Sequence, residues 1–288
     1  MLILGLAVAA SAATVPSEQG AVPPPTAATL RRGVEALEAG RLEEAIGLFE
    51  AVAAGIPAVA DHAERLRLRA LAAGGEHAAV REGAKDFARR FPRSPVAEDV
   101  WRLRAEAAAA QDDPAAARRA WQEARARAPD VEIRAEITAD LARFLEVRSE
   151  VEEAAQAWAG LFGSFAAEPA AQAAPEALAR LEEELGRPLR TAPLLAERAR
   201  ALYEARENEG ALEAADAALA GALPPTARAE LLRLRAFTLF RLRRYPAAVQ
   251  AFEALGDDPE ARLYHARSLA RSGRIQPAVE AFEGLGRE

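Results

Sequence analysis

The stretch GVEALEAGRLEEAIGLFEAVAAGIP, running from Gly33 to Pro57, decides the fold. Gly33, Gly40, Ala45, Phe49, Val52 and Pro57 stand at offsets 0, 7, 12, 16, 19 and 24 within it. Each residue type has a physical reason to be where it is. A small residue in a first helix lets a second helix approach closely. Gly40 suits a turn because glycine takes left-handed dihedrals at no steric cost. Ala45, Phe49 and Val52 fall three or four residues apart, so they share one face of the second helix. Pro57 cannot continue that helix and closes the unit. The reading is a helix–turn–helix hairpin.

The same register recurs along the chain. It is met by Trp101, Ala105, Ala117, Trp121, Ala124 and Pro129, and by Ala142, Ala154, Trp158 and Leu161. It returns at Ala236, Ala248, Phe252 and Leu255, and at Ala266, Gly273, Ala278, Phe282 and Leu285. Weaker copies are Leu68, Gly75, Val80, Ala84, Phe87 and Pro92, then Ala199, Ala211, Ala215 and Ala218. The anchors of the second helix are therefore residues 45, 80, 117, 154, 211, 248 and 278. Five copies carry Trp or Phe at the aromatic position, which chance matches to alanine cannot supply. One wide gap, near residues 163–190, accommodates an irregular insertion, either an extra helix over Glu176 to Leu185 or a degenerate repeat. The fold expected is all-α, an α-solenoid of about seven helical hairpins covering 26–288.

Composition agrees. Hydrophobic residues make up 51% of the 288, but aromatics only 6%, and much of the apolar content is alanine. Alanine has the best helix propensity and suits closely packed helix pairs. Runs of β-branched residues, which a sheet favours, are absent. The net charge of -7 gives no whole-molecule case for nucleic acid. There is no cysteine, which excludes disulfides, thiolate catalysis and cysteine metal sites.

The N-terminus reads as an export signal. An apolar run, Leu2 to Ala10, precedes Ala10-Ser11-Ala12, an A-x-A-like cleavage site. The run is short of the about 20 residues that span a membrane, and no basic residue precedes it. The expectation is a signal peptide at 1–12, cleaved near Ala12, and a Pro-rich linker at 13–25. No other segment reads as a membrane span. The mature protein is expected to be periplasmic or secreted.

The repeats resemble the tetratricopeptide family from roughly Ala27 to Leu285. Phe91-Pro92-Arg93-Ser94-Pro95-Val96-Ala97 resembles the F-P-x-S-x-x-A junction of periplasmic repeat proteins of outer-membrane and cell-wall machinery. Ala261 to Leu285, with Tyr264, Ala266, Gly273 and Ala278, is similar to the superhelix of soluble lytic murein transglycosylases. That family's catalytic domain carries a Glu-Ser motif, and this chain has no Glu-Ser dipeptide. The resemblance implies a non-catalytic protein- or peptide-binding scaffold of the bacterial cell envelope. Its alternative is the superhelical part of a transglycosylase in peptidoglycan turnover, with no catalytic domain in this chain.

The search for chemistry gives no catalytic constellation, no cofactor and no metal site. His62, His77 and His265 form no H-E-x-x-H pattern. Glu43-Glu44, Glu152-Glu153 and Glu182-Glu183-Glu184 are adjacent acids on helices, which diverge by about 100° and cannot converge on one substrate atom. The candidate ligand groove follows from the resemblance, since tetratricopeptide solenoids bind on the face formed by the first helix of each hairpin. Applied to this register, it selects Arg65, Arg69, Arg102, Arg200, Tyr203, Arg233, Phe237, Phe240, Arg241, Arg267 and Arg271, with Glu106 and Arg143 alongside. This basic, aromatic stripe is expected to hold an acidic or carboxylate-ended peptide, or a cell-wall fragment, by arginine forks; the competing reading is arginine-rich solvated helix, with Phe237 and Phe240 packing between repeats.

Overall fold

The computed structural model describes residues 26–256 and 258–285. The expected signal peptide and linker lie outside these residues. Two compact units are present, one ending at Ala70 and the other beginning at Leu71. The first holds α1 (Ala27–Glu38), α2 (Leu42–Gly55) and most of α3 (Ala60–Ala73). The second holds α4 (His77–Arg90), α5 (Ala97–Ala110), α6 (Pro114–Arg127), α7 (Val131–Val147), α8 (Val151–Gly163) and α9 (Ala174–Leu185). It continues with α10 (Ala192–Glu204), α11 (Asn208–Leu219), α12 (Pro225–Arg241), α13 (Tyr245–Glu253), α14 (Pro259–Arg271) and α15 (Ile275–Leu285). Among the described residues there are also two short 3-10 turns, Pro57–Val59 and Pro169–Ala173. Among the described residues there is no strand. The stretch expected as an extra helix or a degenerate repeat holds α9, preceded by the second 3-10 turn.

Local sequence sets the helix ends. At the start of α6 the Asp113 carboxylate accepts from the Ala116 amide at 3.0 Å, and Pro114 opens the first turn. An acceptor at the cap satisfies an orphan N–H, and proline there loses no bond. Arg125 and Arg127 then sit in the last turn, beside the negative end of the helix dipole.

The turns inside the hairpins share one geometry. Gly40, Gly75 and Gly273 have positive φ, as do Asp112, Ser149, Arg206 and Arg243 at the matching positions of the other hairpins. The next amide in each case reaches back to the first helix. Arg41 donates to the Ala36 carbonyl at 2.8 Å, Glu76 to Leu71 at 2.9 Å and Asp113 to Ala108 at 2.9 Å. Glu150 does so to Leu145 at 3.0 Å, Glu207 to Leu202 at 2.9 Å, Arg244 to Leu239 at 2.9 Å and Arg274 to Leu269 at 3.0 Å. A left-handed residue followed by this six-to-one bond is a Schellman ending. Glycine is the residue expected there, yet four hairpins manage with a side chain.

Packing follows the small–aromatic register. A Cβ on Gly33 would stand 2.7 Å from the Phe49 ring, so a side chain there would push the second helix away. Phe49, Phe87, Trp121, Trp158 and Phe252 are all buried. Phe282 differs, at 41% exposure, because among the described residues no helix covers the outer side of α15.

In the second unit α5 packs with α6, α7 with α8, α10 with α11, α12 with α13 and α14 with α15. Successive hairpins also touch, through α6 and α7, α11 and α12, and α13 and α14. A stack in which each hairpin contacts its neighbours is an α-solenoid. Arginines tie hairpins together: Arg81 to Asp113 at 2.7 Å, Arg148 to Asp112 at 2.7 Å and Arg244 to Glu209 at 2.6 Å, with Arg118 on Glu150. Much of the arginine content therefore serves neighbouring repeats.

Candidate functional groove

The first helices of the last three hairpins lie side by side, with α12 touching both α10 and α14. Between them is a cavity of about 610 Å³, lined by Arg200, Tyr203, Glu204, Glu230, Arg233 and Leu234. Phe237, Phe240, Arg241, Glu260 and Tyr264 complete the wall. Known small-ligand pockets run to about 300–1,000 Å³.

Register explains the convergence. Phe237, Phe240 and Arg241 stand four, seven and eight residues after Arg233, which keeps them on one face of α12. Arg200 and Tyr203 do the same on α10. Tyr264 bridges the rings: its centroid is 4.9 Å from Phe237 and 5.0 Å from Phe240, both edge-on. Phe240 also meets Tyr245 edge-on at 5.6 Å, and Phe237 meets the buried Phe252 at 5.1 Å. The aromatic floor is thus continuous with the core of the hairpin below it.

Charges in this wall are largely paired within the protein. Arg200 meets Glu230 at 3.1 Å. Arg233 is held by both Asp258 and Glu260. Asp258 accepts from the Ala261 and Glu260 amides at 2.9 Å. The Ala261 amide and the Arg233 guanidinium hold its carboxyl below the usual range, against the pull of burial. Arg241 donates to the Tyr203 carbonyl at 2.9 Å and lies 3.6 Å from the Tyr203 ring centroid. Burial pushes the Tyr203 phenol up, with Arg241 opposing.

The eleven stripe residues separate into distinct places. Arg200, Tyr203, Arg233, Phe237, Phe240 and Arg241 share the cavity. Arg267 stacks on Tyr264 at 5.0 Å on the adjoining surface of α14, and Arg271 is exposed further along that helix. Arg102 belongs to another site on α5. It is held by Glu136 at 3.2 Å and Asp140 at 2.8 Å, and Arg143 reaches Asp140 at 2.9 Å. Burial lowers the Arg102 pKa, but those two acids outweigh it, and the net direction is up. A smaller hollow of about 250 Å³ lies there. Arg65 and Arg69 are on α3 in the first unit.

Sequence reasoning missed Tyr264, Leu234 and the three glutamates. Tyr264 could have been found, because it stands three residues before Arg267 and shares its face. Glu204, Glu230 and Glu260 are acids, and a basic stripe does not select them. Among the described residues no group of three or more His, Cys, Asp or Glu side chains could hold a metal, and no helix is long and apolar enough to cross a membrane.

No family model and no curated protein matches the chain. Solved structures do. One is the TPR2AB domain of yeast Sti1 in its pHSP90 complex, at 15% identity and a TM-score of 0.35, covering 90% of this chain and 97% of that one. Another is the APC/C hetero-tetramer Cut9–Hcn1, at 14% identity and a TM-score of 0.33, covering 89% of this chain and 52% of that one. The fold is an all-α solenoid on its own geometry: the recurring turn, the small–aromatic register and the stacked hairpins.

Proposed function

We propose that this protein is a non-catalytic scaffold of the bacterial cell envelope that binds a protein or peptide segment in the α10–α12–α14 groove. The observation that carries the reading is the convergence of Tyr203, Phe237, Phe240 and Tyr264 from three consecutive first helices on one open cavity. Apolar rings left accessible beside polar groups are what peptide grooves are made of. Around the rings Arg200 is engaged with Glu230, Arg233 with Asp258 and Glu260, and Arg241 with the Tyr203 carbonyl, an arrangement suited to positioning.

A displayed library of random 12-residue peptides, selected on the full chain, tests this. The expected result is a family of binders with micromolar Kd whose affinity falls at least tenfold in Phe240→Ala and in Tyr203→Ala. Binders indifferent to both substitutions would place the function elsewhere and defeat the proposal.

The envelope assignment is supported by the Leu2–Ala10 run, the Ala10-Ser11-Ala12 site and the Phe91–Ala97 junction. Intact-mass measurement of the protein expressed in a bacterium is expected to give a periplasmic product lacking the residues up to Ala12. A cytoplasmic product retaining them would overturn the export reading.

A further inference from the structure

We infer that the groove selects its peptide by a large apolar side chain, aromatic or branched aliphatic, rather than by a carboxylate. This rests on the reading of the cavity as a peptide site and names what that site recognises.

The first argument is charge. Three arginines and three glutamates line the cavity. Arg200 is engaged by Glu230, and Arg233 by Asp258 and Glu260. Arg241 spends a donor on the Tyr203 carbonyl and its face on the Tyr203 ring. At Arg200 and Arg233 an incoming carboxylate would have to displace an internal acid from the guanidinium, exchanging like for like; at Arg241, which holds no acid, it would have to compete with the Tyr203 carbonyl and ring. It would also approach Glu204, which has no hydrogen bond or ion pair among the described residues. Like charges brought together this way are destabilising. The wall is therefore neutral in sum, and its one unpartnered carboxylate repels acids.

The second argument is the state of the rings. A cation stacks on an aromatic face, and three of the four rings already carry a guanidinium of the protein itself. Arg241 covers Tyr203, Arg233 lies 5.3 Å from the Phe237 centroid, and Arg267 lies over Tyr264. Among the described residues Phe240 is the ring of the four with no guanidinium on it. It is half-buried, in edge contact with Tyr245 and Tyr264, with Leu234 in the same wall. An apolar side chain seated there extends the edge-to-face cluster of Phe240, Tyr245 and Tyr264, and aromatic pairs gain beyond their area burial. The occupant is a peptide with a Phe, Tyr, Trp, Leu, Ile or Met anchor seated on Phe240.

The experiment uses a positional-scanning peptide library in two forms, one ending in an amide and one in a free carboxylate. Binding to the full chain is read by competition at 50 and 500 mM NaCl. The expected result is one position with a roughly ten- to hundredfold preference for large apolar residues over Asp and Glu. The preference should be equal in the two forms and unchanged by salt, which screens exposed charges but not apolar contact. Phe240→Ala is expected to flatten it. Tyr203→Ala is the second variant, with helical content by circular dichroism as the folding control. Acidic preference at any position, or a free-acid form that binds tighter and weakens with salt, would overturn the inference while leaving the groove a peptide site. Loss of all binding, or binding untouched by both variants, would overturn the underlying reading as well.

Discussion

Gly33→Ala and Gly47→Ala make the same chemical change in one hairpin, and the packing predicts effects of opposite sign. Both glycines are inside helices, α1 and α2. Replacing glycine by alanine within a helix gains about 1 kcal/mol from propensity. A Cβ on Gly47 meets nothing within 4 Å, so Gly47→Ala is expected to stabilise by about 1 kcal/mol. A Cβ on Gly33 would stand 2.7, 3.0 and 3.2 Å from three atoms of the Phe49 ring. Ordinary carbon contacts lie at about 3.5–4.0 Å. The ring has no exposed surface and is packed among Ala36, Ala45 and Ala70, so it cannot swing aside. Overpacking of this kind costs about 1–3 kcal/mol. Set against the propensity gain, Gly33→Ala is expected to destabilise by about 1 kcal/mol. The two variants then differ by about 2 kcal/mol, a factor of roughly thirty in the local opening equilibrium. Hydrogen-exchange mass spectrometry on peptides covering α1 and α2 reads this directly. If both substitutions slow exchange equally, the ring does not sit against Gly33 and the small–aromatic rule behind the repeat is wrong.

Arg243 is an exposed side chain at positive φ, so Arg243→Gly relieves left-handed strain and is expected to stabilise by about 0.5–1 kcal/mol, while Gly273→Ala at the matching turn destabilises by a similar amount; urea titrations compare the two. Glu182 has its pKa lowered to about 2, chiefly by the Arg190 side chain and also by the Arg190 and Leu189 amides. A depressed carboxyl pKa gives stability that is present above its ordinary value of 4.5 and is lost as pH falls toward 2. The Leu189 and Arg190 amides, at 2.8 and 3.0 Å from Glu182 Oε1, are expected to shift together in an NMR titration over that window, and Glu182→Gln is expected to abolish the shift.

The fold was legible because its signals are local and repeated. Gly33 and Phe49, or Ala236 and Phe252, are fixed by offsets within one hairpin, and the second-helix anchors are spaced like the left-handed turn residues of the structure. The turns were legible only where they carry glycine. Asp112, Ser149, Arg206 and Arg243 adopt the same conformation with no sequence mark, because the six-to-one backbone bond enforces it. The stripe was partly legible for a similar reason. Helical spacing brought Phe237, Phe240 and Arg241 together, but the partners of the arginines come from other helices. Arg200 finds Glu230, and Arg233 finds Asp258 and Glu260, across hairpin boundaries. Reading one helix at a time gave a basic stripe, whereas the assembled wall is neutral.

The central claim is that this solenoid holds a peptide on the rings of α10, α12 and α14. Hydrogen-exchange mass spectrometry of the full chain, with and without a peptide recovered by selection, tests it most directly. The account predicts slower exchange on binding in Arg200–Glu204, Arg233–Arg241 and Glu260–Tyr264, with the remaining helices unchanged. Protection confined to other helices, with these three segments unaffected by saturating peptide, would contradict it.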